Sequence, residues 1–275
     1  MSNLKPLDGQ TAIVTGASSG IGRAIGEHLG NAGAHVYLTG RTTVLMNESK
    51  ANIEQKGGKA DVITADIRDI AQVQALVAQA VKSTGRLDIM INNAGLEFPA
   101  KILKGEPEDW RTMLETNVLG LLVGCQSAVK AMRECKAEGH IVNISSVSAQ
   151  RNNSGVYGAT KHAVNVVSSS LRDELEEDTI RVTNVMPGAI ATNFARNFDR
   201  DFVNKIIKMA GMDIEVQAGE HLPPEVLETL QNNTKQLLGN PNDVAKAVLY
   251  AVTQPIEVNI AEIVVRPPRA MSLAH

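Results

Sequence analysis

Aromatic residues are scarce in this chain, with four Phe, three Tyr and one Trp among 275 residues. A core must therefore be assembled from Ala, Val, Ile, Leu and Met, and stacking platforms for single-stranded nucleic acid are lacking. Long basic runs are also absent and the net charge is -3. That argues against a nucleic-acid partner, because phosphate backbones need a positive face. The only two cysteines, Cys125 and Cys135, cannot build a disulfide scaffold, and free thiols suit a reducing compartment. Neither the cysteines nor His35, His140 and His221 show metal-ligand spacing, so no metal is assigned. The longest apolar stretch, VLGLLVGC at 118–125, is too short to span a bilayer. The opening MSNLKPLDGQ has no apolar signal-peptide core. These absences lead us to expect a cytoplasmic protein without a membrane or nucleic-acid partner. What is present, 43% hydrophobic and 21% charged residues, is the balance of an ordinary globular domain.

The length suits one large domain or two small ones. Short apolar runs with β character occur at 11–16, 35–40, 60–66, 87–95, 139–146 and 180–188. Helical periodicity fills the intervals at 20–33, 43–56, 69–85, 107–136 and 155–177. Strands separated by helices imply βαβ units and a parallel sheet, and near-continuous Val/Ile/Ala strands imply helices on both faces. The rhythm breaks at 189–239, then resumes with a helix at 241–253 and a last strand at 259–267. With no repeat and no low-complexity linker, residues 1–275 read as one domain with a long insertion.

Two patterns carry chemistry. TGASSGIG at 15–22 places Gly16, Gly20 and Gly22 between a strand and a helix. Glycine lets the backbone approach a ligand, and a helix N-terminus offers free N–H groups to a pyrophosphate. The spacing G-x-x-x-G-x-G differs from the G-x-G-x-x-G dinucleotide fingerprint. SGVYGATK at 154–161 sets Tyr157 and Lys161 four apart, on one face if the segment is a helix. A nearby ammonium favours a phenolate and lowers the phenol pKa from about 10, so that it can pass a proton near neutral pH.

Taken in order, Thr15-Gly16-x-x-x-Gly20-x-Gly22, NNAG at 92–95, Asn117, the pair Ser145–Ser146, Tyr157-x-x-x-Lys161 and PGAIAT at 187–192 resemble the short-chain dehydrogenase/reductase family. The motifs cover about residues 10 to 267. The resemblance implies a Rossmann-type, doubly wound sheet of seven mainly parallel strands, a nicotinamide cofactor, and a homo-oligomer, tetrameric or dimeric. It also implies a small carbonyl or alcohol substrate, with Tyr157 as general acid/base and Lys161 lowering its pKa and holding the nicotinamide ribose. Ser146 would bond the substrate oxygen, and Asn117 would anchor a water that relays protons to Lys161. The family usually spaces its serine thirteen residues before the tyrosine. Ser146 stands eleven before and Ser145 twelve, so Ser146 is preferred by its place at the strand end while Ser145 stays open.

The same resemblance assigns the cofactor to Gly16, Ser18, Ser19, Gly20, Ile21 and Gly22, then to Asp66 and Ile67, to Asn93, Ala94 and Gly95, and to Pro187, Gly188, Ile190 and Thr192. Tyr157 and Lys161 complete the set. Asp66 reads either as the adenine-contacting acid or as a helix-capping or turn residue. Gly40 stands where NAD-dependent relatives carry an Asp. Arg41 can pair with a 2′-phosphate, with Thr42 adding a hydroxyl, so NADP(H) is favoured over NAD(H). A non-catalytic nucleotide-binding sensor is the alternative outside enzymes. Residues 193–238 read as a substrate lid, whose Phe194, Phe198, Phe202, Ile206 and Met209 either close the site or pack the excursion onto the body. EIVVRP near the end resembles 3-hydroxy acid and serine dehydrogenases. Arg151, beside Gln150 and Asn152, is then either a carboxylate ligand or a surface charge.

Overall fold

The computed structural model describes residues 4–214, 216–217 and 219–269. The ends of the expected 1–275 domain and two positions of the 193–238 excursion thus lie outside the described residues. Seven strands form one sheet: β1 (Thr11–Thr15), β2 (His35–Gly40), β3 (Lys59–Thr64), β4 (Ile89–Asn92), β5 (Gly139–Ile144), β6 (Ile180–Pro187) and β7 (Glu262–Val265). Their order is β3-β2-β1-β4-β5-β6-β7 and every pairing is parallel. The chain leaves β1 toward one edge and restarts from β4 toward the other. The switch lies between those two strands, and in such sheets the crevice outside their carboxyl ends is where ligands bind.

The helices cover both faces. Among the described residues they are α1 (Gly20–Asn31), α2 (Thr43–Gln55), α3 (Ile70–Thr84), α4 (Pro107–Leu114), α5 (Gly120–Cys135), α6 (Gly155–Glu174), α7 (Arg200–Met209), α8 (Pro224–Asn233) and α9 (Pro241–Val252). Side chains alternate along each strand, so the apolar strands feed two separate cores. Ala12 and Val14 pack with Ile25 and Leu29 of α1 and Val244 and Val248 of α9. Ile13, between them, packs on the other face with Leu76 of α3, Met132 of α5 and Val164 of α6. Aliphatic side chains and methionines fill both layers, with Tyr37 the one aromatic residue in these two clusters.

Two elements differ from the sequence expectation. The single helix expected at 107–136 is interrupted by a turn of π-helical width at Glu115–Leu119, which turns Asn117 inward. The last strand stops at Val265 because Pro267 and Pro268 follow, and proline has no N–H for a ladder. The 189–239 excursion leaves and returns at one point. Ala191 N donates to Gly239 O at 3.0 Å, and Gly239 N donates to Ala189 O at 2.8 Å. Between those stitches α7 and α8 share a small core of Ile207, Ala210 and Leu230.

A buried polar chain ties β4, β5 and α6 together. Asn92 Nδ2 donates to Asn143 Oδ1 at 2.9 Å, Asn143 Nδ2 donates to Ser168 Oγ at 3.0 Å, and that hydroxyl donates to Val164 O at 2.7 Å. Buried polar groups stripped of a partner are costly. Asn143→Ala should therefore lower unfolding stability by about 1–3 kcal/mol, read from urea denaturation. An unchanged midpoint would mean that the chain of amides carries no stability.

Candidate active site

A cavity of about 710 Å³ opens at the carboxyl ends of the strands. One wall is the glycine turn between β1 and α1. Gly16 and Gly20 have φ of 65° and 55°, a region that disfavours any side chain. A Cβ at Gly16 would stand 2.8 Å from Ala94 Cα, and one at Gly20 would stand 3.0 Å from the Thr192 side chain. The turn therefore fits only as bare backbone. Asn93 staples it to the end of β4, donating from Nδ2 to Thr15 O at 2.8 Å, while Thr15 Oγ1 accepts from the N–H groups of Asn93 and Ala94. Ser19 caps α1 without a side-chain hydrogen bond, and no acidic residue occupies its first turn. The helix N-terminus thus faces the cavity unneutralised.

The cavity wall is cationic although the chain is net acidic. Arg41, Arg68, Arg151, Arg196, Arg266, Arg269 and Lys161 line it, against the acids Asp66 and Glu97. Arg41 is exposed and forms no ion pair with the described residues. Arg196, half-buried, is pulled below its ordinary pKa by burial first and by the charge of Arg41 second. Two guanidinium groups that repel each other and form no ion pair among the described residues, together with bare glycine backbone and an uncapped helix end, suit the phosphates of a dinucleotide.

A second wall comes from α6 and the end of β5. Tyr157 and Lys161 are buried on one face of α6, with the Lys161 Nζ 5.9 Å from the Tyr157 ring centre. The Lys161 ammonium donates to Ile144 O at 2.8 Å. Ser145 Oγ donates to Lys161 O at 3.0 Å and to Asn165 Oδ1 at 2.6 Å, and Asn184 Nδ2 donates to the same oxygen at 2.9 Å. Ser145 is therefore committed to holding α6 in place. Ser146 accepts from Ser148 N at 3.1 Å, and its hydroxyl lies close enough to the Tyr157 phenol to act on it.

Several expectations change. Burial dominates the environment of the Tyr157 phenol. Burial raises Tyr157, the charge of Glu97 raises it further, and the Ser146 hydrogen bond opposes both. Burial also pulls Lys161 down to about 8, against the carboxylate of Glu97. The side chain of Asn117 does not line the cavity and is fully engaged. Its Oδ1 accepts from Leu96 N at 2.9 Å, and its Nδ2 donates to Leu96 O at 2.9 Å and to Thr160 Oγ1 at 3.0 Å. It clamps the loop after β4 to α6. Thr42 is the exposed cap residue of α2 and lies outside the cavity lining. Asp66 lines the cavity, but its carboxylate is held by Arg68, with Nη2 donating to Oδ2 at 2.6 Å. The cap of α3 is Asp69. Met209 is 66% exposed, whereas Phe194, Phe198, Phe202 and Ile206 face the cavity. Arg151 is exposed at the rim, Gln150 lines the cavity, and Asn152 does not.

The remaining residues expected at the cofactor, Ser18, Ile21, Gly22, Ile67, Asn93, Ala94, Gly95, Pro187, Gly188, Ile190 and Thr192, all line the cavity. Gly95 is fixed by contact, since a Cβ there would lie 3.3 Å from both Asn117 Oδ1 and Lys161 Nζ. Not singled out from the sequence are Arg68 and Arg196. Arg68 could have been found as the cation two residues past Asp66; Arg196 had no local signal. Leu96 and Glu97 also line the cavity, and nothing in the sequence marks Glu97 as a group that burial raises to about 7. Among the described residues no group of His, Cys, Asp and Glu is placed to hold a metal ion. Among the described residues no helix is long and apolar enough to cross a membrane.

Comparison with known proteins agrees with this geometry. Residues 10–202 match the family model of the short chain dehydrogenases. An uncharacterized oxidoreductase of Staphylococcus aureus (strain USA300) is 33% identical over 263 residues, which cover 95% of this chain and 98% of that protein. A metagenomic short-chain oxidoreductase solved in complex with NADP superimposes with a TM-score of 0.73 at 28% identity, covering 95% and 98% of the two chains. A variant of actinorhodin polyketide ketoreductase solved with NADPH gives 0.77 at 29% identity, covering 94% and 95%.

The raised carboxyl of Glu97 has a consequence for stability. Between the ordinary glutamate value of 4.5 and about 7, the folded protein holds a proton that the unfolded chain has released. Stability should therefore fall as pH rises through that window. In Glu97→Gln that component of the slope should disappear when melting temperature is followed from pH 4.5 to 7.5. An identical slope in the variant would place the titrating group elsewhere.

Proposed function

Because the chain belongs to the short-chain dehydrogenase/reductase family and is an NAD(P)-dependent oxidoreductase, we propose that it moves hydride between NADP(H) and a ketone or secondary alcohol, with Tyr157 as the acid–base group. The observation that carries this reading is that Tyr157, Ser146 and Lys161 line the same cavity as the uncapped glycine turn. When bound, the nicotinamide cofactor supplies or accepts the hydride. Its pyrophosphate belongs over Ser18–Gly22, and Thr192 and Ile190 hold the opposite end.

The chain's own residues do the rest. In reduction Tyr157 gives its phenolic proton to the carbonyl oxygen, and in oxidation it takes the proton back. Ser146, whose hydroxyl lies beside the Tyr157 phenol, donates to the substrate oxygen and steadies it as charge develops. Lys161 keeps a positive charge beside the phenol. Asn117 acts one step removed, by fixing Gly95–Leu96 and Thr160 around the ammonium. Burial makes ionising Tyr157 unfavourable in the free protein, so the phenolate form requires positive charge beyond Lys161.

Arg41 and Arg196 together favour the 2′-phosphate of NADP(H), and Gly40 places no acid against it. Residues 193–238 act as a lid whose Phe194, Phe198, Phe202 and Ile206 exclude water. Val203 and Ile207, on the other side of α7, hold the lid's own core. The chain works as a homo-oligomer, dimer or tetramer. Leu114, Leu119 and Leu122 around α4 and α5, and Val166 on α6, are 40–53% exposed and give that association an apolar surface. Free Cys125 and Cys135 suit the reducing cytoplasm.

Two measurements test this. Tyr157→Phe should cut kcat by about 10²–10⁴-fold, the usual share of general acid–base catalysis, while cofactor affinity measured by calorimetry stays within threefold, roughly 0.65 kcal/mol. Near-normal turnover in that variant rules out the acid–base assignment. In Arg41→Ala the Kd for NADPH should rise by about tenfold or more, the scale of a lost charge-assisted bond, with little change for NADH. Equal affinities for the two cofactors in the wild-type protein would refute the NADP(H) preference.

A further inference from the structure

Glu97 faces the cavity and has no part in the chemistry above. It stands two residues past the NNAG turn, on the loop between β4 and α4. Its backbone carbonyl accepts from Asn197 Nδ2 at 3.2 Å, so the first turn of the lid fixes its position. Its carboxylate makes no hydrogen bond and no ion pair with the described residues. Yet it is half-buried and close enough to Tyr157 and Lys161 for its charge to act on both. Lys161 does not satisfy it: its ammonium donates to Ile144 O, and no ion pair joins it to Glu97. The neighbouring walls are apolar and aromatic. Leu96 and Tyr157 pack with Phe194, and the Tyr157 and Phe194 rings are 5.6 Å apart and tilted by 55°. A carboxylate withdrawn from water without a protein partner is costly, and a ligand that answers it recovers that cost.

We propose, on the premise of the carbonyl–alcohol reading above, that Glu97 selects substrates that carry a protonated amine a bond or two from the carbon that exchanges hydride. A hydroxyl would satisfy one hydrogen bond but gain nothing from the ring faces. An ammonium gains from the carboxylate and from the aromatic wall together. A substrate carboxylate at the same place would meet like charge. The lone arginine on the 148–153 loop, Arg151, is exposed at the rim and does not offset that repulsion.

The test is steady-state kinetics of the full chain with its nicotinamide cofactor on three secondary alcohols: 1-amino-2-propanol, 2-butanol, in which a methyl replaces the ammonium, and 3-hydroxybutyrate. In the wild-type protein the kcat/KM ratio of amine to methyl compound should be about 10–100, the range of a charge-assisted hydrogen bond. It should fall toward one in Glu97→Gln and keep its direction in Glu97→Asp. The ratio cancels any general loss of activity from disturbed packing. A wild-type ratio near one, a preference for 3-hydroxybutyrate, or an amine preference that survives in Glu97→Gln overturns the inference and leaves the oxidoreductase reading standing. No turnover of any of the three, with cofactor binding intact by calorimetry, overturns the carbonyl–alcohol reading and this inference with it.

Discussion

Lys161 keeps an ammonium group at 3% exposure with one carbonyl, that of Ile144, accepting from it at 2.8 Å. A buried cation is tolerated only where its surroundings are fixed and polar, and much of the site can be read as the means of fixing them. Ser145 and Asn165 hold the α6 backbone at Lys161 against β5 and β6. Asn117, presented by the wide turn between α4 and α5, pins Leu96 and Thr160 on either side. Gly95 leaves the room that the Nζ occupies. The carboxylate of Glu97, when ionised, opposes the burial that pulls the lysine down. Loosening any of these shifts the ammonium that stands beside the Tyr157 ring.

The phosphate side of the cavity follows the opposite rule, since its charges are left unanswered. An uncapped helix end, two positive-φ glycines and the Arg41–Arg196 pair create a deficit of negative charge that an anionic ligand fills. The Asn93–Thr15 staple joins this side to the β4 exit loop, which carries Gly95, Leu96 and Glu97. One loop thus borders the glycine turn and the lysine at once. The excursion after β6 reaches the same loop through Asn197.

The fold was legible in the sequence because a doubly wound sheet writes itself in alternation: seven apolar runs, each stopped by a turn and followed by a helical stretch. The motif positions were legible for a related reason. Backbone approach demands glycine at Gly16, Gly20 and Gly22, and one helical turn separates Tyr157 from Lys161. What was not legible depends on partners brought in from far along the chain. That the Asn117 amide closes on Leu96 and Thr160, and that Ser145 is committed to Asn165, are facts of packing. The balance of burial against charge at Tyr157 belongs to the same group. The i, i+4 spacing predicts an ammonium near a phenol, but not that desolvation would outweigh it. Glu97 was hidden because one acid in a loop carries no periodicity.

The central claim is that Tyr157 is held protonated by burial and becomes an acid–base group only when positive charge gathers beside it. Carbon-13 NMR of ring-labelled tyrosine addresses this directly, since the chain has only three tyrosines and Tyr157→Phe identifies the relevant signal. In the free protein the Tyr157 signal should not titrate below its ordinary value of about 10. With the oxidised nicotinamide cofactor bound, its midpoint should drop by about one unit or more, and Lys161→Ala should abolish the drop, as expected when nearby cations favour the phenolate. A Tyr157 midpoint that is the same with and without cofactor, or one that is already near neutral in the free protein, would contradict the account.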